Sequence, residues 1–426
     1  MSVSVLKFGG TSVQHAEALA RVRDIVAIRA AAHPCIVVLS ATSGTTDTLL
    51  RIARNRDVTG VDELRARHLA IVDDLVPTTE ARADVNSLCN SLASYVRGMH
   101  LLGETTDRST DEVASYGERL SSIIFAHACA LAGMHASWLD ARTVIRTDNN
   151  HLCATVDISA VSMLSQEVLA PVLRSHSVVV TQGFIGATAD GITTTLGRGG
   201  SDHSAAILGA ALDAQVIEIW TDVSGIFSAD PRIIPGARPI PSMGFDEVRD
   251  LALYGAKVLH PDTILPAVMS GIPVHVLNTF EPDARGTVIT AAAPRDRLIN
   301  AVALIQRCLL FTWKGNPTRH IDNVLLYSSY HDGAACVVHT PTDDDALNAR
   351  VSMADLPHEE HAVAIIAVCG PQASSAQAVA SIATAVKDLP IRAVISGVSQ
   401  TTCFVVCDET SAKATLRAIH DRIVED

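Results

Sequence analysis

Four stretches of the chain carry residue types suited to work on phosphates and carboxylates. The first is Lys7, Phe8, Gly9, Gly10, Thr11 and Ser12. Two glycines without Cβ atoms let backbone N–H groups approach phosphate oxygens, and Lys7 supplies a point charge. A plain Gly-Gly turn with an incidental lysine accounts for these residues as well, so the stretch needs company. The second, Gly191 to Asp202, reads G-I-T-T-T-L-G-R-G-G-S-D. Its glycines thin the backbone where a ligand comes close, Arg198 suits a two-pronged grip on a carboxylate or phosphate, and Asp202 suits orienting a lysine or a metal. The third is Ser115-Tyr116-Gly117-Glu118-Arg119-Leu120. Glycine inside a helix costs up to about 1 kcal/mol against alanine, so Gly117 signals close approach of another group beside Glu118. Glu118 is then either an ammonium-binding carboxylate or a solvated one on a helix face. The fourth is Thr221 to Phe227 followed by Asp230-Pro231-Arg232, a nucleotide contact beyond a strand or simply a turn.

The elements that must position these residues are legible as alternating runs. Val3 to Phe8 and Cys35 to Ser40 are short, apolar and β-branched, and Ala16 to Ala32 between them has helical spacing. The alternation returns with Ser177 to Thr181, a helix over Asp202 to Leu212, and Val216 to Trp220. These runs predict a mainly parallel sheet sandwiched by helices. Val61 to Leu101 reads as helical throughout. Ser109-Thr110-Asp111-Glu112 has the form of a capping box opening the helix that carries Glu118. After Thr290, Ala291 to Asp296 reads as a boundary. Beyond it come a strand at His361 to Cys369, a helix at Ser374 to Val386, strands near Ile391 to Val398 and Cys403 to Val406, and a helix at Ala412 to Ile423. That order predicts a small α+β module.

Composition narrows the function classes. Apolar residues make up 48% of 426 and charged residues 19%, enough for a large core. A net charge of −13 excludes a general nucleic-acid or membrane-surface binder. The first residues show no basic segment followed by an apolar stretch, no apolar run approaches a membrane span, and nine cysteines are dispersed without a C-x-x-C pair. We therefore expect a cytoplasmic protein with reduced thiols and no structural metal.

Together, K-F-G-G-T-S, S-Y-G-E-R-L-S-S, T-T-T-L-G-R-G-G-S-D, T-D-V-S-G-I-F and G-A-K-V-L-H-P resemble, in order, the aspartate kinases of the amino-acid kinase family. The resemblance runs from Lys7 to Thr287. It implies a catalytic domain over 1–292, a degenerate first ACT domain over 297–358 and a second over 359–426, with homodimerisation through the ACT domains. It implies that ATP, with Mg²⁺ carried on the nucleotide, phosphorylates the side-chain carboxylate of L-aspartate or a close analogue. In those terms Lys7, Gly9 and Gly10 hold the transferring phosphoryl group and Asp202 organises the lysine. Ser40, Thr45, Gly199 and Ser201 line the acceptor site, Glu118 holds the α-amino group and Arg198 the α-carboxylate. Thr221, Asp222, Phe227, Arg232 and Lys257 fall on nucleotide-binding positions. Relatives often carry tyrosine where Phe227 stands.

One departure concerns regulation. Between strands expected at Cys308 to Trp313 and Asn323 to Tyr327 lie only Lys314 to Asp322, with Gly315 and Pro317. That is too short for a loop plus an ordinary helix of about 11 residues, so the first ACT domain is expected to lack its first helix and feedback inhibition to be weakened. Alternatives are a homologue acting on a modified amino acid, a kinase of the same fold on another small acceptor, or a silent amino-acid sensor. No G-x-x-x-x-G-K-[ST] occurs, which argues against a P-loop nucleotidase, and Val248-Arg249-Asp250 lacks the H-R-D-x-x-x-x-N context, which argues against a protein kinase.

Overall fold

The computed structural model describes residues 2–424 apart from 255–260, 316–320, 331 and 398. They divide into two compact units, Met1–Ile226 with Leu259–Ala291, and Phe227–Val258 with Ala292–Asp426. The excursion 227–258 thus groups with the later residues, which chain order does not announce.

The first unit contains strands β1 (Ser4–Phe8), β2 (Cys35–Leu39), β3 (Ala136–Trp138), β4 (Val178–Gln182), β5 (Ile185–Ala187), β6 (Thr193–Thr195) and β7 (Val216–Thr221). After β8 (Ser242–Met243) in the second unit, β9 (Val274–Asn278) and β10 (Thr287–Ile289) complete it. The sheet runs β3-β4-β2-β1-β7-β9-β10. Every pairing from β3 to β9 is parallel, and only β10 is antiparallel. β1, β2 and β4 are buried at every position, which is why none of them alternates apolar with exposed polar residues; the polar members, Ser4 and Lys7 of β1 and Thr181 and Gln182 of β4, are buried too. Leu6, Phe8, Val37 and Leu39 join Leu49, Leu92, Leu120 and Phe125 of the covering helices in one core. The chain leaves β1 for β2 on one side and returns to its other side as β7. A crevice beyond the carboxyl ends of the strands opens where the order reverses.

Two helical expectations need correction. The stretch read as continuous from Val61 to Leu101 is two helices, Gly60–Leu75 and Thr79–Leu102. Pro77 breaks it, because a proline ring disfavours helical geometry in the preceding residue, and Val76 sits at φ −148°, ψ 66°. The helix carrying Glu118 begins earlier than expected, at Asp107, with Thr106 as its cap. Ser109 is the returning partner of that cap: its N–H donates to Thr106 Oγ1 at 3.1 Å and its Oγ accepts the Thr106 N–H at 2.8 Å.

The second unit is built on an antiparallel six-stranded sheet, in the order β12-β13-β11-β14-β16-β15. Its strands are β11 (Ala301–Lys314), β12 (Val324–Tyr330), β13 (Gly333–His339), β14 (His358–Cys369), β15 (Ile391–Ile395) and β16 (Thr402–Asp408). β11 and β14 pair along their length with a register shift between Ile305 and Cys308. On one side of the shift β11 pairs with β13, and on the other β14 pairs with β16. Two α+β modules therefore share the long strands, and the second takes its fourth strand from Ala301–Ile305, ahead of the first in sequence. Residues 315–323 join β11 to β12. Of these, 316–320 are outside the described residues, and so the expected loss of a helix there lies largely outside them. Among the described residues no helix is long and apolar enough to cross a membrane.

Candidate active site

β1 delivers Lys7 and the Gly9-Gly10 turn to the carboxyl edge of the sheet. Strand geometry holds the turn: the Gly9 N–H donates to the Trp220 carbonyl of β7 and the Ser40 N–H to the Phe8 carbonyl, each at 3.1 Å. A Cβ on Gly10 would lie 3.1 Å from the Ala41 carbonyl oxygen, so side chains are excluded where the two turns meet. Ser12, buried behind the turn, lies 2.7 Å from the Thr279 hydroxyl.

The second glycine-rich stretch meets the first in space. Lys7 Nζ is 2.6 Å from Asp202 Oδ1, with both side chains largely shielded from solvent. Asp202 stands in the first turn of the Gly200–Ala211 helix, which Gly199 opens at φ 72° without any side-chain cap. The first-turn amides and the positive end of the helix dipole are thus available to an anion beside Lys7. Gly183 and Gly200 permit this helix to dock. A Cβ on Gly183 would fall 2.6 Å from Ser201 Cβ, and one on Gly200 2.8 Å from the Phe184 ring.

The third wall comes from the Asp107–Leu131 helix and the turn after β2. Gly117 lets them touch, since a Cβ there would lie 2.8 Å from Ala41 Cβ. This is the close approach that a mid-helix glycine signalled. Glu118 is buried; its Oε1 accepts the Ala41 N–H at 3.2 Å. Its Oε2 has no hydrogen-bond partner among the described residues. Burial pushes the carboxyl up to about 8, against the opposing Ala41 N–H. A carboxylate held dry with an unused oxygen suits a cationic ligand, which would restore the charged form. The solvated alternative for Glu118 is excluded by its burial.

These groups converge on one cavity of about 400 Å³, lined among others by Lys7, Gly10, Ser40, Glu118, Ser201 and Asp202. Gly199 also lines it, whereas Gly9 is outside the lining and its N–H is taken by the Trp220 carbonyl. Two expected residues are placed differently. Thr45 is fully buried, its hydroxyl 2.6 Å from that of Thr42, because the helix starting after Gly44 turns it inward against Gly117. Thr42, Thr46 and Asp47 form the wall instead. Arg198 is exposed, and only its neighbours Gly197 and Gly199 line the cavity. Thr221 ends β7 and Asp222 follows it, with the Thr221 hydroxyl donating to Asp222 at 3.1 Å. Phe227 and Arg232 belong to the second unit, where Arg232 is exposed and paired with Asp230. Lys257 lies outside the described residues.

Sequence reasoning missed Phe184 and His68. Phe184 lines the cavity at φ 69°, a left-handed conformation costing a non-glycine residue about 1–2 kcal/mol. Nothing in its sequence context announces this. His68 is fully buried behind the β2 turn, donating from Nδ1 to the Leu64 carbonyl at 2.8 Å, with Nε2 3.4 Å from Thr42 Oγ1. Burial pushes it down to about 4, so the ring is neutral and Nε2 an acceptor.

With this geometry established, comparison with known proteins is specific. Residues 2–278 match the amino acid kinase family. Lysine-sensitive aspartokinase 3 of Escherichia coli (strain K12) is 38% identical over 314 residues, covering 73% of this chain and 69% of that protein. The crystal structure of E. coli aspartokinase III in complex with lysine and aspartate (T-state) superposes with a TM-score of 0.85 at 31% identity, covering 99% of each chain. Its complex with aspartate and ADP (R-state) gives 0.79 at 31% identity, covering 99% of this chain and 100% of that one. This chain is a member of the amino acid kinase family, within its aspartokinase branch.

Proposed function

We propose that this chain transfers the γ-phosphoryl group of Mg·ATP to the side-chain carboxylate of L-aspartate, forming 4-phospho-L-aspartate and ADP. That is the entry reaction of aspartate-family amino-acid biosynthesis. The observation that carries the reading is the meeting of Lys7, Asp202 and the unpaired Glu118 oxygen on one cavity. A carboxylate oxygen of the acceptor attacks the γ-phosphorus while the bond to the β–γ bridging oxygen breaks, and the electrons leave with ADP. The acceptor is already ionised near neutral pH, so neither a protein nucleophile nor a strong base is needed. Lys7 offsets charge on the transferring group, Asp202 aims the ammonium, and the helix start at Gly200 adds N–H donors. Mg²⁺ enters as part of the nucleotide substrate and neutralises phosphate charge there.

Glu118 holds the acceptor's α-ammonium and Arg198 its α-carboxylate, which turns the side chain toward Lys7. The E. coli relative bound to aspartate and ADP supports this substrate pair. Trapping acyl phosphate with hydroxylamine across a panel of amino acids tests it. Hydroxamate from aspartate is expected, and its absence with turnover of another acceptor would reassign the substrate.

Two finer readings belong to the second unit. We propose weakened feedback inhibition, because nine residues, 315–323, join β11 to β12, fewer than a loop and an ordinary helix require. We also propose a homodimer through this unit. Leu347 and Val351, one turn apart on the Asp343–Met353 helix, are 59% and 63% exposed and offer an apolar contact that a second copy would cover. Light scattering of the full chain at several concentrations checks the dimer.

A further inference from the structure

We propose that Asp111, with Thr195 and His151 as its ligands, is a positioning residue that fixes the Arg198 turn relative to Glu118. Asp111 lies on the same helix as Glu118, seven residues earlier. Two turns of helix return it to the same face, about 10 Å along the axis. Its carboxylate is fully buried and accepts from three directions. Thr195 Oγ1 donates to Oδ1 at 2.6 Å, His151 Nδ1 donates to Oδ2 at 2.6 Å, and the Leu152 N–H reaches both oxygens at 3.1–3.2 Å. Every partner donates, which suits a carboxylate and no other side chain of this size.

The partners are the supports of the Gly197–Arg198–Gly199 turn. Thr195 ends β6 and is three residues before Arg198. The Ala154 N–H donates to the Thr195 carbonyl at 2.9 Å, and a Cβ on Gly197 would lie 3.3 Å from the Leu152 carbonyl oxygen. Leu152 itself stands at φ 69°, a left-handed conformation that a leucine keeps only when its surroundings hold it there. Asp111 is what holds it, through the Leu152 N–H. The loop is closed on itself by Asp148, which accepts from the Asn150 and Thr155 amides at 3.1 and 2.9 Å. Helix, hairpin and loop are thus pinned to one buried carboxylate. Removing it loosens the turn ahead of the Gly200 helix start and leaves Lys7 and the Gly9-Gly10 cradle in place, so the acceptor should lose more affinity than the nucleotide.

This rests on the assignment of Arg198 to the acceptor carboxylate, and the test separates the two. In the full chain, Asp111→Ala is expected to raise the acceptor KM about tenfold or more, with the ATP KM within about twofold, since misplacing a positioning group acts on what it positions. Thr195→Val should give a smaller rise of the same kind. The double variant should be no worse than Asp111→Ala, because both remove one shared interaction. Hydrogen exchange of amides 196–200 should accelerate in each variant. If wild type turns over a different amino acid, the same KM split is read on that acceptor. If it turns over none, the proposed function fails and exchange alone decides. Unchanged exchange at 196–200, or acceptor and ATP constants moving together, overturns the positioning role. Should Asp111→Ala fail to fold, Thr195→Val decides by the same readouts.

Discussion

Lys7 Nζ lies 2.6 Å from Asp202 Oδ1, so one ion pair joins the strand end of the first glycine-rich turn to the helix start of the second. The pair is shielded, and shielded pairs are weak contributors to stability because desolvation offsets attraction. Its use is to aim an ammonium. Lys7→Ala is expected to lower kcat by about 10²–10³, the range for removing one preorganised donor to developing charge. Asp202→Asn, which keeps an oxygen for the ammonium, should cost less. ADP release measured beside thermal melts checks this; unchanged turnover in Lys7→Ala would refute the site.

Glu118 must be ionised to hold an ammonium, yet burial pushes its carboxyl up to about 8 in the free protein. Acceptor kcat/KM should therefore climb with pH and level off above about 8. Glu118→Gln should flatten that limb and raise the acceptor KM by about 10²-fold or more, as expected when one partner of a buried charge pair is removed. A pH-independent wild-type profile between 6 and 9 would contradict this.

The same group makes a stability prediction of definite sign. The folded state binds the Glu118 proton more tightly than the unfolded chain, so this contribution is present below the ordinary 4.5 and is lost as pH rises toward about 8. Glu118→Gln has no such loss. Its melting temperature relative to wild type should increase from pH 5 to pH 8.5 without ligand, and a constant difference would show that burial is not the cause.

Gly117→Ala sets local against tertiary preference. Alanine favours a helix interior by about 0.8–1.0 kcal/mol over glycine. Its Cβ here would meet Ala41 Cβ at 2.8 Å and Leu49 Cδ1 at 3.3 Å, and overpacking of that kind costs about 1–3 kcal/mol. We expect net destabilisation in urea together with a raised acceptor KM, as the β2 turn is pushed off Glu118. A variant more stable than wild type would mean the contact relaxes freely.

Lysine and threonine at millimolar concentration, singly and together, should leave activity within about twofold of the uninhibited rate. Strong inhibition by either would show that the 315–323 connection does not weaken the effector response.

Much of the site was readable because its signals are local. Mostly apolar runs at Val3 to Phe8 and Cys35 to Ser40 marked buried parallel strands, and glycines at 10, 197, 199 and 200 marked backbone that lines the cavity. Gly117, costly in a helix, pointed to a neighbour without saying which. Proline at 77 was visible too, and reading through it was an error of periodicity over stereochemistry.

The strands β1, β2, β4 and β7, the two glycine-rich turns and the candidacy of Lys7, Glu118 and Asp202 were thus legible in the chain alone, since propensity and steric freedom belong to each residue and its nearest neighbours. Tertiary structure alone decided that Glu118 is dry with one oxygen unused, that Thr42, Thr46 and Asp47 form the wall in place of Thr45, and that Phe184 bends into the cavity. It also decided that residues 227–258 join the second unit and that β11 and β14 serve two modules at once. Burial, hydrogen-bond partnership and strand sharing are relations between segments far apart along the chain, and no local pattern encodes which distant surface will arrive.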